Sequence, residues 1–363
     1  ASKGRSRTLW RSPMAKTSIG WTEEVWNPTK GCSLKSPGCV NCYAMRMARR
    51  MDHPGGAYEG LTVLGPKGPL WNGVVELSAP RVLAQPISWR KPRMVFVNSM
   101  SDLFHERLDY ADIAGIVGIM AYCHESTFQV LTKRADRMLD FQRWLVATAE
   151  SWHELDDEFD IVDAIGEVLR HNANRILDGH TVIDALHMEG YWPLRNVWWG
   201  VSAENQAALD ERLPYLQKIH AAVRFLSCEP LLEGLSFWPI RTVEEMAEGR
   251  KNGAFYPSRL GSIHWVIVGG ESGYGARPFN VDWLCGIANQ CSQAKVALYA
   301  KQLGSRPIHR KELRDLHFSP LKQPGKGEDM GKWPPNLPRT RQYPQDTWHP
   351  QDPMELIQDA DAH

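Results

Sequence analysis

The chain has 363 residues, 43% of them hydrophobic, enough apolar material for a sizeable core in one large domain or two ordinary ones. Lys plus Arg and Asp plus Glu each number 42, so no global basic field draws the protein to nucleic acid, and any such binding has to rest on a local patch. No apolar run approaches the roughly 18 residues that span a bilayer, and the N-terminal ASKGRSRTLWRSPMAK has basic residues with no apolar stretch behind them, which predicts a cytoplasmic protein with no membrane partner.

In chain order, the first patterned segment is the loop 31–44, GCSLKSPGCVNCYA, with cysteines at 32, 39 and 42, followed by a helix-like stretch over 43–51 that carries Arg46, Arg49 and Arg50. Six short β-branched or aromatic runs come next, at 94–102, 127–134, 197–205, 223–230, 264–273 and 296–304. Helix candidates fall between them at Ala111–Tyr122, Ala135–Ala149, Gln206–His220 and Val281–Gln293. Near-continuous apolar runs are those of parallel strands buried on both faces, and their alternation with helices predicts an α/β fold with a parallel sheet. Residues 150–195, with helical periodicity around Ile161–Ile176, read as a helical insertion, and 235–262 as a second, less patterned one. After Gly304 the chain turns Pro- and basic-rich, so 305–363 reads as a C-terminal extension.

Each apolar run stops in polar residues at its C-terminal end: Asn98, Ser99 and Asp102; Thr132, Lys133 and Arg134; Ser202, Glu204 and Asn205; Ser227 and Glu229; Glu271 and Ser272; Lys301 and Gln302. In a βα barrel these ends converge on the face where the loops build an active site, whereas an open doubly wound sheet gathers only those at its switch point. Six in series favour a barrel, although any single cluster reads equally well as a helix cap or turn. The expected fold is therefore a partial TIM-like (β/α) barrel over 17–304.

Cys32, Cys39 and Cys42 are spaced C-x6-C-x2-C with Gly and Pro between them, so one loop can bring three thiolates together. Soft sulfur donors suit an iron–sulfur cluster or zinc, and three protein ligands leave one coordination position open. Zinc with His53 as a fourth ligand is the alternative. Cys123, Cys228, Cys285 and Cys291 are scattered, so the seven cysteines form no disulfide framework. Lys133 and Arg134 could bind a phosphate or carboxylate at the barrel mouth, and Glu229 and Glu271 could accept protons or pair with Lys133, Arg134 or Arg277. His105 is the histidine best placed to join a site. GGESGYGARP lacks the lysine and spacing of a P-loop, which argues against nucleotide hydrolysis. Trp89, Arg90, Lys91 and Arg93 form a local basic patch, to which Arg46, Arg49 and Arg50 would add if they fold nearby. Of the fifteen tryptophans, some could line a cleft, though packing is their commoner role.

CVNCYA, followed in order by VNSMSDLF, FQVLTKR, WGVSAENQ, FLSCEPLL and VIVGGESGYGARP, resembles a phage-associated three-Cys-motif family. That family resembles divergent radical S-adenosylmethionine enzymes of the spore-photoproduct-lyase-like type. The resemblance implies that Cys32, Cys39 and Cys42 hold a 4Fe-4S cluster whose open iron chelates S-adenosylmethionine, giving a 5′-deoxyadenosyl radical that abstracts hydrogen, with a nucleic acid or nucleotide as substrate. It places Asn98, Ser99 and Asp102 near the cofactor's amino group, Ser202, Glu204 and Asn205 near ribose or carboxylate, and Gly269 and Gly270, with Glu271, along adenine. Lys133, Glu229 and Glu271 are the residues expected to serve catalysis. The usual radical-enzyme spacing has three residues in the first gap and an aromatic before the third cysteine; here the gap is six, Asn41 stands before Cys42, and Tyr43 follows it. Competing readings are a zinc protein, as a metal-assisted hydrolase or a nucleic-acid-binding module, and a noncatalytic phage or host interaction protein.

Overall fold

A computed structural model describes residues 17, 19–152, 160–186, 192–238, 258–310, 318–320 and 325–344. Seven short strands, β1 (Glu24–Trp26), β2 (Met94–Val97), β3 (Thr127–Thr132), β4 (Val197–Ser202), β5 (Val223–Cys228), β6 (Trp265–Gly269) and β7 (Ala297–Gln302), pair in chain order into one parallel sheet. The protein is a mixed α/β fold whose sheet curls into a half-barrel. All six expected runs begin at their strands or one residue before them, as apolar sequences buried on both faces should. The strand that sequence reasoning misses is β1, because three residues are too few to show a period.

Side-chain alternation separates an inner from an outer layer. Val95, Val97, Phe128, Val130, Val197, Trp199, Leu226, Val266, Val268 and Leu298 point outward into the main core beneath the helices. Their neighbours along each strand, Phe96, Phe225, Trp265, Ile267 and Tyr299, point inward and join Trp21 in a separate aromatic plug. Trp265 sits at its centre, 6.1 Å from Trp21, 5.8 Å from Trp198 and Phe225, and 6.0 Å from Tyr299 by ring centroid. Gly200 makes room for it, since a Cβ there would lie 2.4 Å from the Phe225 ring. These tryptophans therefore pack the interior below the strand ends rather than lining an open cleft.

The outer layer holds α2 (Tyr110–Tyr122), α3 (Ala135–Trp152), α4 (Ile161–Leu177), α5 (Gln206–Lys218) and α6 (Val281–Ala294), and α1 (Tyr43–Arg50) follows the cysteine loop. α4 grows from the periodicity read at 161–176 and lies against α2 at close range. Cβ atoms on Gly115 and Gly118 would fall 2.7 and 2.4 Å from the backbone oxygens of Asn172 and Leu169. α1 buries Ala44, Met45 and Ala48 against Tyr58, Leu61 and Trp71, the last two contributed by and beside a hairpin that pairs Thr62–Gly65 with Gly68–Trp71.

β1 and β7 do not pair with each other. Residues 340–342 run antiparallel along the free edge of β7, with Ala300 N–H donating to Thr340 O (2.9 Å) and Gln342 N–H to Leu298 O (2.9 Å). Trp265 Nε1 donates to Gln342 O at 2.8 Å, Tyr343 lies 5.3 Å from Trp265, and the Tyr299 hydroxyl donates to Gly20 O. This stretch comes from the segment read as the C-terminal extension, whose residues 345–363 lie outside the described part of the chain. No described helix is long and apolar enough to cross a membrane.

Candidate active site at the strand ends

The cysteine loop lies over the C-terminal ends of the strands and is tied to four of them. Gly31 O accepts from Ser101 Oγ at 2.7 Å, after β2. Ser33 Oγ accepts from Arg134 Nη2 at 2.7 Å, after β3. Gly38 N–H points at Glu204 Oε1 at 3.4 Å, after β4. Asn41 Nδ2 donates to Glu271 Oε2 at 2.9 Å, after β6, and Arg277 Nη1 donates to Pro37 O at 2.9 Å. Two glycines allow this close seating: a Cβ on Gly38 would meet the Glu204 carboxylate at 3.1 Å, and Gly31, at φ +84°, would drive one into Val74 O at 2.1 Å.

Several residues read from the sequence as binding groups spend their polar atoms on this scaffold. Asp102 is buried, with Oδ1 accepting from Thr132 Oγ1 (2.7 Å) and Phe104 N–H (3.0 Å) and Oδ2 from Lys133 N–H (3.1 Å) and Arg134 Nη1 (3.0 Å). Arg134 also reaches Glu106 at 2.9 Å, so its guanidinium clamps the loop instead of waiting for an anion. His105, buried, accepts from Arg107 N–H at Nδ1 (3.2 Å), which leaves Nε2 to face Ser33 Oγ at 2.9 Å. Burial, with Arg134 beside it, lowers its pKa and keeps the ring neutral.

Glu204 is fully buried, and Arg212 Nη1 donates to its Oε2 at 2.9 Å. Burial works against its charged form, yet Lys133 and Arg212 outweigh it and hold the carboxyl down at about 2. In Glu271, Oε2 accepts from Arg277 N–H (2.8 Å) and Nε (3.0 Å), and Oε1 from Arg277 Nη2 (2.6 Å). There too burial is outweighed, by Arg277 and Asn41, and the pKa is lowered. Asn205 caps α5 through Ala208 N–H at 2.8 Å, and Ser99 Oγ donates to Asn27 Oδ1 at 3.2 Å. Gly269 and Gly270 let the β6 end pass closely: a Cβ would meet Glu229 at 3.2 Å in the first case and Leu303 O at 2.4 Å in the second.

A second set keeps free capacity in the interior. Lys133 Nζ donates to Ser202 Oγ at 3.0 Å and forms no close ion pair among the described residues. Asn98, 3% exposed and in the left-handed region at φ 61°, gives Oδ1 to Thr29 N–H, while its buried Nδ2 has no partner among the described residues. Glu229 Oε1 accepts from Lys301 Nζ at 2.7 Å and Gln302 Nε2 at 3.4 Å. Alternation from Leu131, Phe225 and Tyr299, which join the plug, turns Lys133, Glu229 and Lys301 toward the inside of the half-barrel, above that plug.

Cys32 and Cys42 pack beside Met45, Ala48 and Met100. Burial pushes the Cys32 thiol up to about 12, with Asp102 adding to the rise, Arg134 opposing it, and Cys42 and Cys39 raising it further. Burial also raises Cys42, the residue that caps α1, against the pull of the backbone N–H groups of Ala44 and Met45; Cys39 raises it too, and Lys133 lowers it. Among the described residues, no three His, Cys, Asp or Glu side chains converge closely enough to hold a metal ion. His53 is exposed, with its ring Nδ1 turned to Pro54 O at 3.2 Å. The two parts of the expected basic patch lie at opposite ends of the strands. Trp89 and Arg93 precede β2, with Arg93 paired to Glu24 at 2.6 Å, whereas Arg46 touches Tyr274 O at 3.4 Å beyond β6.

No curated protein and no solved structure matches the chain. Residues 16–329 match the family described as "Protein of unknown function (DUF5131)", and since this covers most of the sequence, the chain belongs to that family.

Proposed function

We propose that the half-barrel is a partial TIM-like barrel serving an iron–sulfur enzyme of the radical S-adenosylmethionine type. Cys32, Cys39 and Cys42 would ligate three irons of a 4Fe-4S cluster and leave the fourth for S-adenosylmethionine. The observation that carries the reading is the seating of a loop with three cysteines, and no fourth, across the strand ends of a parallel half-barrel, tied to four of them. The donor set fits: of the three soft sulfurs, Cys39 lies close enough to raise the pKa of both Cys32 and Cys42, and Lys133, Arg134 and the N-terminus of α1 beside them favour an anionic centre. A cubane's cysteines bind different irons, so they need not meet at one point as zinc ligands must. When bound, the cluster and cofactor together supply a hydrogen-abstracting 5′-deoxyadenosyl radical.

The chain's own residues would do the rest. Lys133 and Asn98 Nδ2, both donors with capacity to spare, hold an anionic or carbonyl group inside the half-barrel. Ser202, Glu229 and Lys301 supply hydrogen bonds around it, and the aromatic plug excludes water from below. A nucleic acid or nucleotide is the proposed substrate class, and both carry the phosphate that Lys133 would suit.

Anaerobic purification tests this directly. A brown protein with about four irons per chain, releasing 5′-deoxyadenosine on addition of dithionite and S-adenosylmethionine, is expected. Colourless protein with one zinc, or an intact cluster that releases no 5′-deoxyadenosine, refutes the assignment. Cys32, Cys39 or Cys42→Ala should abolish metal binding, whereas Cys123→Ala should leave it unchanged.

A further inference from the structure

We propose that the outer face of the cysteine loop and α1 is the docking surface for a small acidic one-electron carrier protein. The inference rests on the iron–sulfur reading, since such an enzyme must take its electron from outside. From Val25 to Met51 the chain holds five cations, Lys30, Lys35, Arg46, Arg49 and Arg50, and no Asp or Glu. Lys30 is met by Glu76 at 2.7 Å and Arg49 by Asp52 at 3.4 Å, while Lys35 and Arg50 are exposed without an ion-pair partner among the described residues. An acidic surface is what complements this stretch.

Apolar side chains stand exposed in the same region. Val40, between two of the cysteines, is 49% exposed, and Met47, one turn into α1 from Tyr43, is 45% exposed. Tyr274 is 96% exposed, on a turn between Gly273 (φ +93°) and Gly275 (φ +77°). That turn is tied down by Gly273 N–H to Ser305 Oγ (2.9 Å), Asn41 Nδ2 to Gly275 O (3.1 Å) and Arg46 Nη1 to Tyr274 O (3.4 Å). Its backbone is held to the cysteine loop and α1 while its ring is given to solvent.

Met, Tyr and Arg are side chains in which protein interfaces are enriched, and the exposed aliphatic Val40 and Met47 beside Tyr274 make the mixed apolar and basic face that an acidic protein partner would cover. The inner side of the loop faces Glu204 and Glu271, and Lys133 lies beneath it, so the outer side is left for a partner that need not enter the half-barrel. A carrier seated on Val40 touches the chain between Cys39 and Cys42. One electron passes from the carrier's reduced cofactor to the cluster; the carrier is oxidised by one electron, the cluster is reduced by one, and no bond forms or breaks. The contact belongs to the small, transient redox class, under about 1,200 Å².

Stopped-flow reduction of the reconstituted holoenzyme by flavodoxin hydroquinone tests this, comparing the wild type with the Arg50→Glu, Tyr274→Ala double variant. Both side chains are exposed, so fold and iron content should be retained. The expected result is a second-order rate constant about tenfold lower, a flatter dependence on salt, and unchanged reduction by dithionite, which needs no docking surface. A carrier rate indifferent to the double substitution overturns the proposal. So does a variant that loses affinity for a single-stranded oligonucleotide while keeping its carrier rate, which would give this face to nucleic acid. A protein that takes up no iron, or whose cluster dithionite fails to reduce, overturns the enzyme reading and the docking surface together, an outcome distinct from the other two.

Discussion

Replacing Arg134 with Met detaches the cysteine loop from the end of β3 while keeping most of the buried volume. The guanidinium is 2% exposed and makes three bonds, to Asp102, Glu106 and Ser33. The Glu106 carboxylate is half exposed, so that pair contributes less than about 1 kcal/mol. The Asp102 pair is buried, and removing one member of such a pair costs roughly 3–5 kcal/mol because the other charge is left without compensation. Asp102 would keep the N–H groups of Phe104 and Lys133 and the Thr132 hydroxyl, so the lower end applies and the expected loss is about 3 kcal/mol. Guanidinium unfolding followed by tryptophan fluorescence reads this as a lower midpoint at constant slope. A cycle with Asp102→Asn should return a coupling on the order of 1–3 kcal/mol. A loss below about 1 kcal/mol, or strict additivity in the cycle, would refute the claim that this pair carries the clamp.

Four further outcomes follow from the same geometry. Glu204 ionises at about 2 in the fold against 4.5 ordinarily, so the unfolded chain binds more protons between those values; its stabilisation is complete above 4.5 and lost as pH falls toward 2. Glu204→Gln should flatten stability across that window, and an unaltered acid limb would count against the Arg212 pair and the nearby Lys133 charge as what holds the carboxyl down. Gly31→Ala combines a positive φ with a Cβ placed 2.1 Å from Val74 O, and should cost about 1–3 kcal/mol in denaturant unfolding; wild-type stability would show that the loop yields there. Neutral His105 has a lowered pKa, so the stability it contributes is present above its unfolded value of about 6.5 and declines as pH falls below it; His105→Gln should remove that slope in pH-dependent unfolding, and an unchanged slope would assign it elsewhere. Truncation after residue 324 removes the stretch along β7 and should red-shift the emission of Trp265 and raise dye binding, with an unchanged spectrum arguing against that contact.

Much of the sheet was legible because strands buried on both faces write continuous apolar runs, as VIVG and VWWGVS do. The hairpin at Thr62–Trp71 was not read, although Gly65 and Pro66 to Gly68 mark a turn between its two apolar arms. The strand-end residues were legible as a set but not by role. Asp102, Glu204 and Glu271 are alike as carboxylates after strands, and what distinguishes their duties is the arginine each meets. Arg212 stands eight residues beyond Glu204 and two turns along α5, and Arg134 thirty-two beyond Asp102, separations that no local period reveals. Asn205 before QAALDERL was readable as a helix cap and is one. The donors with capacity to spare, Lys133 Nζ beyond its bond to Ser202 and Asn98 Nδ2, became distinguishable only once the bonds of their neighbours were known.

The unpaired seam between β1 and β7 bears on how the chain reaches its fold. A parallel sheet grown in chain order leaves its last strand as a bare row of N–H and C=O groups, the kind of edge that recruits foreign strands. β7 is complete at Gln302, yet the segment that covers it, 340–342, lies about forty residues further on. During synthesis at roughly 5–20 residues per second, that edge and the aromatic plug behind it stand uncovered for seconds before their cover emerges. Lys301, a charged side chain turned inward at the end of β7, is the sort of residue that discourages edge-to-edge pairing in that interval.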